Sequence, residues 1–520
     1  MSPPVERAAQ WALRPMAAET ERVSAADPLQ DSQGGTLRHR SLRGGVLTMG
    51  SQFVKFVLQI VSTAVLARLL TPSDYGLFTM VAALVGFANL LKDLGLSTAT
   101  VQKETISQAE VSALFWINVL AGVVVTLVLA LCAPLVVAYY GRPELLWLTR
   151  AYGATAIISS LAAQHSALWQ RQMKFGAIAQ RDLLSTAIGM IAGIVAAAAG
   201  LRFWALAVQL AAASAASTAF LWWRSGWRPG PPRRTAGLGH FLRFGWSMTL
   251  SNLLAYANNN MDNVLLGRYA GDVAVGLYSR AQGLLNKALQ QVLPPILNVA
   301  LPMFSKLTLE PLRFKKASLE LVKVASFAGC ALVMIAIPTA DWIVRLLLGA
   351  QWAQVTGIFR ILAVFGLLEP LAYLLGSMLV ASGKPGAMAG WRAGTAAVAL
   401  LSFIVGVRWG VLGIAVAYAA SGIATRTWLI FFVGRRVGVS GWEFLGACGP
   451  FVLLAGAISA GLFLLRAAWG PPGALAGLSI FVPLGAAAYI GVMLCVPAGR
   501  RFLLSIRRLV SDAFRSTRGL

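Results

Sequence analysis

Apolar runs of about twenty residues follow one another from residue 46 to residue 497, parted mostly by short polar turns. Each run is near the ~20 residues an α-helix needs to cross a bilayer. Inside hydrocarbon no water satisfies a free backbone N–H or C=O, so a chain crosses only as helices or as a closed barrel. Runs of this length therefore restrict the chain to an all-α polytopic membrane protein. Composition agrees: of 520 residues, 58% are hydrophobic and 12% charged, against about 25% charged in soluble domains.

The runs number about fourteen transmembrane helices: 46–67, 77–96, 110–138, 145–168, 176–200, 203–223, 243–267, 273–302, 320–348, 356–381, 387–407, 411–433, 445–466 and 473–497. With the N-terminus inside, the inside connections and tails hold about 30 Lys and Arg and the outside connections about eight, mostly single arginines such as Arg68, Arg142 and Arg268. That asymmetry places both termini in the cytoplasm by the positive-inside rule. The net charge of +25 is then mainly topological, and nucleic-acid binding is not expected. The organisation predicted is a disordered cytoplasmic tail (1–45), a first lobe of six helices (46–223), a Pro/Gly/Arg-rich linker (224–242), a second six-helix lobe (243–433), two accessory helices (434–497) and a basic cytoplasmic tail (498–520).

The two lobes read as copies of each other. Ser51, Leu66, Arg68, Gly76, Leu77 and Leu84 return as Ser251, Leu266, Arg268, Gly276, Leu277 and Leu284, with Tyr278 for Phe78, at a constant offset of 200. In a membrane protein such internal repetition accompanies halves that move against each other.

Ionisable side chains inside a bilayer are costly and face a cavity or a partner. Thr48, Gln52, Lys55, Gln59 and Ser62 are spaced four, three, four and three, which puts them on one face of the first helix. Lys55 lies about nine residues in, or ~14 Å. Asn252, Asn259 and Asp262 form the equivalent stripe on the seventh helix, where Ala255 stands for Lys55 and Asp262 for Ser62. On the eighth helix Arg280 and Lys287 are seven apart and share a face. These residues outline a hydrophilic, net-positive cavity. Two other roles stay open: amides also join helices by interhelical hydrogen bonds, and Asp262 can either pair with a cation or titrate as an ion-coupling site. Lys92 and Asp93, near the inner end of the second helix, read as solvated or locally paired. Arg360 and Glu369 point to opposite faces. Pro294-Pro295 should kink the eighth helix, and Ser107 to Glu110 fits a capping box.

The chain offers little for catalysis. No outside connection exceeds about a dozen residues, and no GxxxxGK[ST] loop or Ser/His/Asp arrangement is present. Four cysteines in or at the ends of apolar runs and three scattered histidines give no metal site. No cofactor is expected.

The segments TPSDYGLFTMV, DLGLSTATVQKETIS, ALFWINVL, ALWQRQMKF, LLGRYAGDVAVGLYSRAQ and PMFSKL resemble the polysaccharide-exporter branch of lipid-linked oligosaccharide flippases, of the colanic-acid-exporter type. The wider multidrug/oligosaccharidyl-lipid/polysaccharide superfamily also holds multidrug extruders and the peptidoglycan lipid flippase. The resemblance runs from about Arg43 to the last helices. It implies two lobes rocking around a central cavity in the bacterial inner membrane. The implied cargo is an oligosaccharide repeat unit on undecaprenyl diphosphate, destined for exopolysaccharide, O-antigen or capsule. Lys55, Arg280 and Lys287 would meet the diphosphate, and Gln52, Gln59, Asn252 and Asn259 the sugar. Membrane lipids, a polymerase and a chain-length regulator are the implied partners. The alternatives are an ion-coupled multidrug extruder, which would prefer an acidic cavity, and a non-transporting scaffold for polysaccharide synthesis.

Overall fold

The structure, a computed structural model, describes residues 37–505 apart from 104, 233–237, 309, 384, 471–472 and 498, and leaves out some side chains within helices, among them 37–49 and Asn259. Most of the two predicted tails therefore lies outside the described residues. Residues 37–45, predicted to be disordered, belong to the first helix.

The chain is all-α and multi-pass. The first lobe holds α1 (Leu37–Leu69), α2 (Pro72–Asp93), the short α3 (Leu96–Gln102), α4 (Gln108–Tyr140), α5 (Leu145–Arg171), α6 (Phe175–Ala198) and α7 (Trp204–Arg224). The second holds α8 (Leu238–Leu307), α9 (Pro311–Ala336), the short α10 (Ala340–Leu347), α11 (Val355–Gly366), α12 (Glu369–Ala381), α13 (Pro385–Gly406) and α14 (Gly410–Val437). Two further helices, α15 (Gly441–Trp469) and α16 (Ala474–Cys495), pack against α9 and α10. Ten runs among the described residues are long and apolar enough to cross a membrane, one of them covering both α13 and α14. α5 and α8 fall outside that measure; both carry many polar side chains. Large apolar groups cover the outside of the bundle, Leu131 at 78% exposed being one, as expected where lipid is the solvent.

α8 is two helices. Gly271 has φ +84°, outside the helical range, and the chain folds back there. Gln282 Nε2 donates to Asp262 Oδ2 at 3.1 Å, although twenty residues of straight helix would span ~30 Å. The predicted seventh and eighth helices are thus the two arms of a hairpin (238–270 and 272–307) that turns on a glycine able to take positive φ. The second arm continues as helix through Pro294-Pro295. Two other predicted segments are interrupted. Pro338 follows the end of α9, and Pro370, at the start of α12, separates it from α11, because proline cannot donate to the preceding turn.

Helix starts follow their caps. Thr71 with Asp74, Ser107 with Glu110 and Ser440 with Glu443 each form a reciprocal capping box. The Ser107 box is the one expected from sequence.

The 200-residue repeat is the seam between the lobes. α2 crosses the second arm of α8 with backbones in contact. A methyl on Gly76 would overlap the Asp272 carbonyl, and a methyl on Gly276 would overlap that of Pro72. Thr79 and Ser279 face each other at 3.4 Å across the same crossing. One apolar core runs through the seam, with Leu66, Tyr75, Leu77 and Met80 meeting Leu266, Val275, Leu277 and Tyr278. Gly76→Ala and Gly276→Ala should therefore each destabilise the protein by about 1–3 kcal/mol through overpacking. Gly283→Ala, a site with open space on the same arm, should not. Thermal unfolding in detergent checks this, and equal transition temperatures for all three variants would refute the close crossing.

Candidate functional site

Four layers of contacts build the seam. At its end Asp272 accepts hydrogen bonds from Ser73 and from Arg142, an ion pair that joins the lobes. Arg68 donates to the Leu346 carbonyl at 3.0 Å. Trp352 Nε1 donates to the Ala67 carbonyl at 2.7 Å, and Gln351 reaches the same carbonyl and that of Leu70. Deeper, Tyr256 fits against Gly86 and its hydroxyl donates to the Ala82 carbonyl at 3.2 Å. Every hydrogen bond and ion pair between described residues of the two lobes joins positions 63–82 or 142 to positions 256–287 or 346–352. All lie in the half of the seam that holds Gly76.

Arg280 and Lys287 sit along this seam. The Arg280 guanidinium lies 4.4 Å from the centre of the Tyr75 ring, a cation–π contact. Tyr75 is held edge-on against Trp352, with centroids 5.3 Å apart. Arg280 Nε is buried without a hydrogen-bond partner. Two turns along, Lys287 Nζ donates to Thr63 Oγ1 of α1 at 2.6 Å. Neither cation has a carboxylate in ion-pair contact among the described residues, whereas Arg360, Arg426 and Arg466 are each paired with one. Beside Lys287 a chamber of about 220 Å³ opens between α1, the second arm of α8, α9, α10 and α11. Thr63 and Lys287 are the polar residues of its described lining, and Phe56, Ile60, Leu284, Leu332 and Phe359 are among the apolar ones.

The other predicted site residues are placed differently. Lys55 pairs with Asp182 of α6 at 3.2 Å, and Asp182 also holds Arg181. Ser62, on the same stripe, accepts from Gln209 of α7 at 3.0 Å. The polar stripe of α1 thus faces α6 and α7 of its own lobe, and the neighbouring strip of Phe56, Ile60 and Thr63 faces the other lobe. Gln52 is exposed beside Lys55 and Gln59 is half-buried. Asn252 is exposed, and the Asn259 side chain lies outside the described residues. Asp262 is buried and accepts from Gln282 and from the backbone and side chain of Asn263. It is paired with no cation among the described residues, so the expected division of labour, a cation from one copy meeting the carboxylate of the other, does not arise. Asp182, Asp272, Tyr75 and Trp352 were not singled out in the sequence. For Asp182 a signal existed, since it is an acid on a predicted membrane helix.

The Lys55–Asp182 pair gives a coupled prediction. Asp182→Asn should destabilise the protein more than Lys55→Met, because it strands both Lys55 and Arg181, whereas Asp182 keeps Arg181 when Lys55 is lost. The double variant should lose less than the sum of the two, with a coupling energy of about 0.5–3 kcal/mol. Strictly additive losses in detergent unfolding would contradict the pairing.

The family model described as "Polysaccharide biosynthesis protein" matches residues 65–356. The teichuronic acid biosynthesis protein TuaB of Bacillus subtilis (strain 168) is 25% identical over 444 residues, covering 84% of this chain and 91% of its own. The lipopolysaccharide biosynthesis protein WzxC of Escherichia coli (strain K12) is 25% identical over 355 residues, 67% of this chain and 71% of its own. Among solved structures, the lipid II flippase MurJ in an inward closed conformation superposes with a TM-score of 0.71 at 14% identity, covering 86% of this chain and 98% of that one. The fold is therefore one this chain shares with MurJ, as the resemblance in its motifs implies.

Proposed function

The chain belongs to the polysaccharide biosynthesis protein family, and from that premise we propose that it is a flippase, not an enzyme. It carries a glycan on undecaprenyl diphosphate across the bacterial inner membrane for polysaccharide assembly. The observation that carries this reading is the pair Arg280 and Lys287, two cations on the lobe seam without a carboxylate partner among the described residues. A cation held unpaired in a low-dielectric bundle is expensive. A diphosphate supplies the missing charge through short, strong N–H···O contacts. The apolar chamber next to Lys287 suits the prenyl chain of the same molecule. An organic cation, the cargo of the alternative extruder, would meet repulsion here, and a scaffold has no use for unpaired cations.

Lys55, tethered by Asp182, acts as a reserve of positive charge on the first lobe, while Gln52, Gln59, Asn252 and Asn259 offer polar walls for sugar. Asp262, a buried carboxylate without a cation, is the candidate site of ion coupling. The charge count places the bonded half of the seam on the outer face, with the termini inside. Alternating access then consists of breaking that half and parting the lobes there. A polymerase and a chain-length regulator would use the product.

Arg280→Ala and Lys287→Ala, expressed at normal levels, should each cut polymer export about tenfold or more, the worth of a hydrogen bond to a charged group. Arg280→Lys should retain part of it. Unchanged export in both alanine variants would overturn the reading.

A further inference from the structure

We propose that a polar pocket inside the first lobe, between α2, α3, α4 and α5, binds one neutral sugar ring of the transported glycan; the assignment rests on the flippase reading above. The pocket measures about 220 Å³ and is lined by Lys92, Asp93, Ser97, Asn118 and a row along α5 that includes Ser160 and Ser166. It is far larger than the ~10–15 Å³ that one water requires on that measure, and has the dimensions of a single pyranose. It lies apart from the seam that holds Arg280 and Lys287.

Its accessible walls carry both charges, Lys92 and Asp93, neither of them in an ion pair among the described residues. Asn118 is fully buried; its Nδ2 approaches Asp93 Oδ1 at 3.4 Å, and its Oδ1 has no partner. That oxygen has no accessible surface, so Asn118 backs the wall and is not itself offered to a ligand. Lys92 and Asp93, expected to be solvated or paired locally, do not pair with each other. Lys92 donates to Ser159, and Asp93 accepts from Ser97.

The mixture of charges selects the ligand. A free anion meets Asp93 and a free cation meets Lys92, so each is opposed by one wall. A polyhydroxylated neutral ring is opposed by neither, because each hydroxyl both donates and accepts. Such a ring can donate to the Asp93 carboxylate while accepting from Lys92 and Ser97. Ser166 accepts from Arg181 at 2.8 Å, and Arg181 is joined to Asp182 and so to Lys55. The pocket is thereby tied to α1, the helix that carries Thr63 to the seam.

The test uses the full chain in detergent with Cys132, Cys330, Cys448 and Cys495 replaced, and a single cysteine at Ala163 in the pocket or at Gln170 at its mouth. Labelling by a small methanethiosulfonate is timed with D-glucose, D-galactose, D-glucuronate or sodium chloride. A neutral sugar at about twice its Kd should slow labelling about threefold at both reporters, and leave a cysteine at the exposed Leu201 unaffected. Asp93→Leu should abolish the protection; if that variant does not fold, Ser97→Val serves instead. Protection by glucuronate or sodium alone, or by none of the four, overturns the assignment. If protection is absent while Arg280→Ala still blocks export, the pocket assignment fails and the flippase reading stands. If export survives loss of both seam cations, the flippase reading fails whatever the labelling shows.

Discussion

Two backbones touch where α2 crosses the second arm of α8, and the rest of the seam follows from that approach. Glycine at 76 and 276 removes the two side chains that would hold the helices apart. Once they meet, Thr79 faces Ser279, and Asp272 comes within reach of Ser73 and Arg142. The residues that bring the lobes together come from equivalent positions in the two copies. Among the described residues, side-chain bonds then fasten the half of the seam near this crossing. Packing of this kind has discrete arrangements and does not deform continuously, which is what the proposed alternating access requires.

The chemistry rests on charge left uncompensated. Among the described residues Lys55 has Asp182, Arg426 has Glu369, and Arg466 has Asp341. Arg280 and Lys287 have an aromatic face and a hydroxyl. Neither partner returns a full charge, which is why the proposed cargo is an anion. In the proposed reading, the apolar chamber beside Lys287 serves the prenyl chain of an isoprenoid diphosphate.

Much of this was legible in the sequence because it depends on periodicity and local chemistry. Run length marked the helices, the Ser107 capping box marked the start of α4, and the constant offset brought Gly76 and Gly276 to notice before their contact could be known. Arg280 and Lys287 stood out as ionisable residues on one face of an apolar helix. Periodicity shows which residues share a face, but not what that face meets. Rotation of α1 by one strip decides whether Lys55 looks at α6 or across the seam, and packing sets that rotation. Asp262 turned inward for the same reason, toward Gln282 on the returning arm of its own hairpin. The pocket around Asn118 draws on four helices, so no stretch of sequence displays it.

Transport as proposed requires the bonded half of the seam to open. Replacing Thr79 and Ser279 with cysteine in a protein otherwise free of cysteine places two thiols where hydroxyls now lie 3.4 Å apart, within reach of a disulfide. Polymer export should stop when an oxidant closes this bond and resume when a reductant opens it, while each single-cysteine protein is indifferent to both. Undiminished export by the fully cross-linked protein would contradict the account.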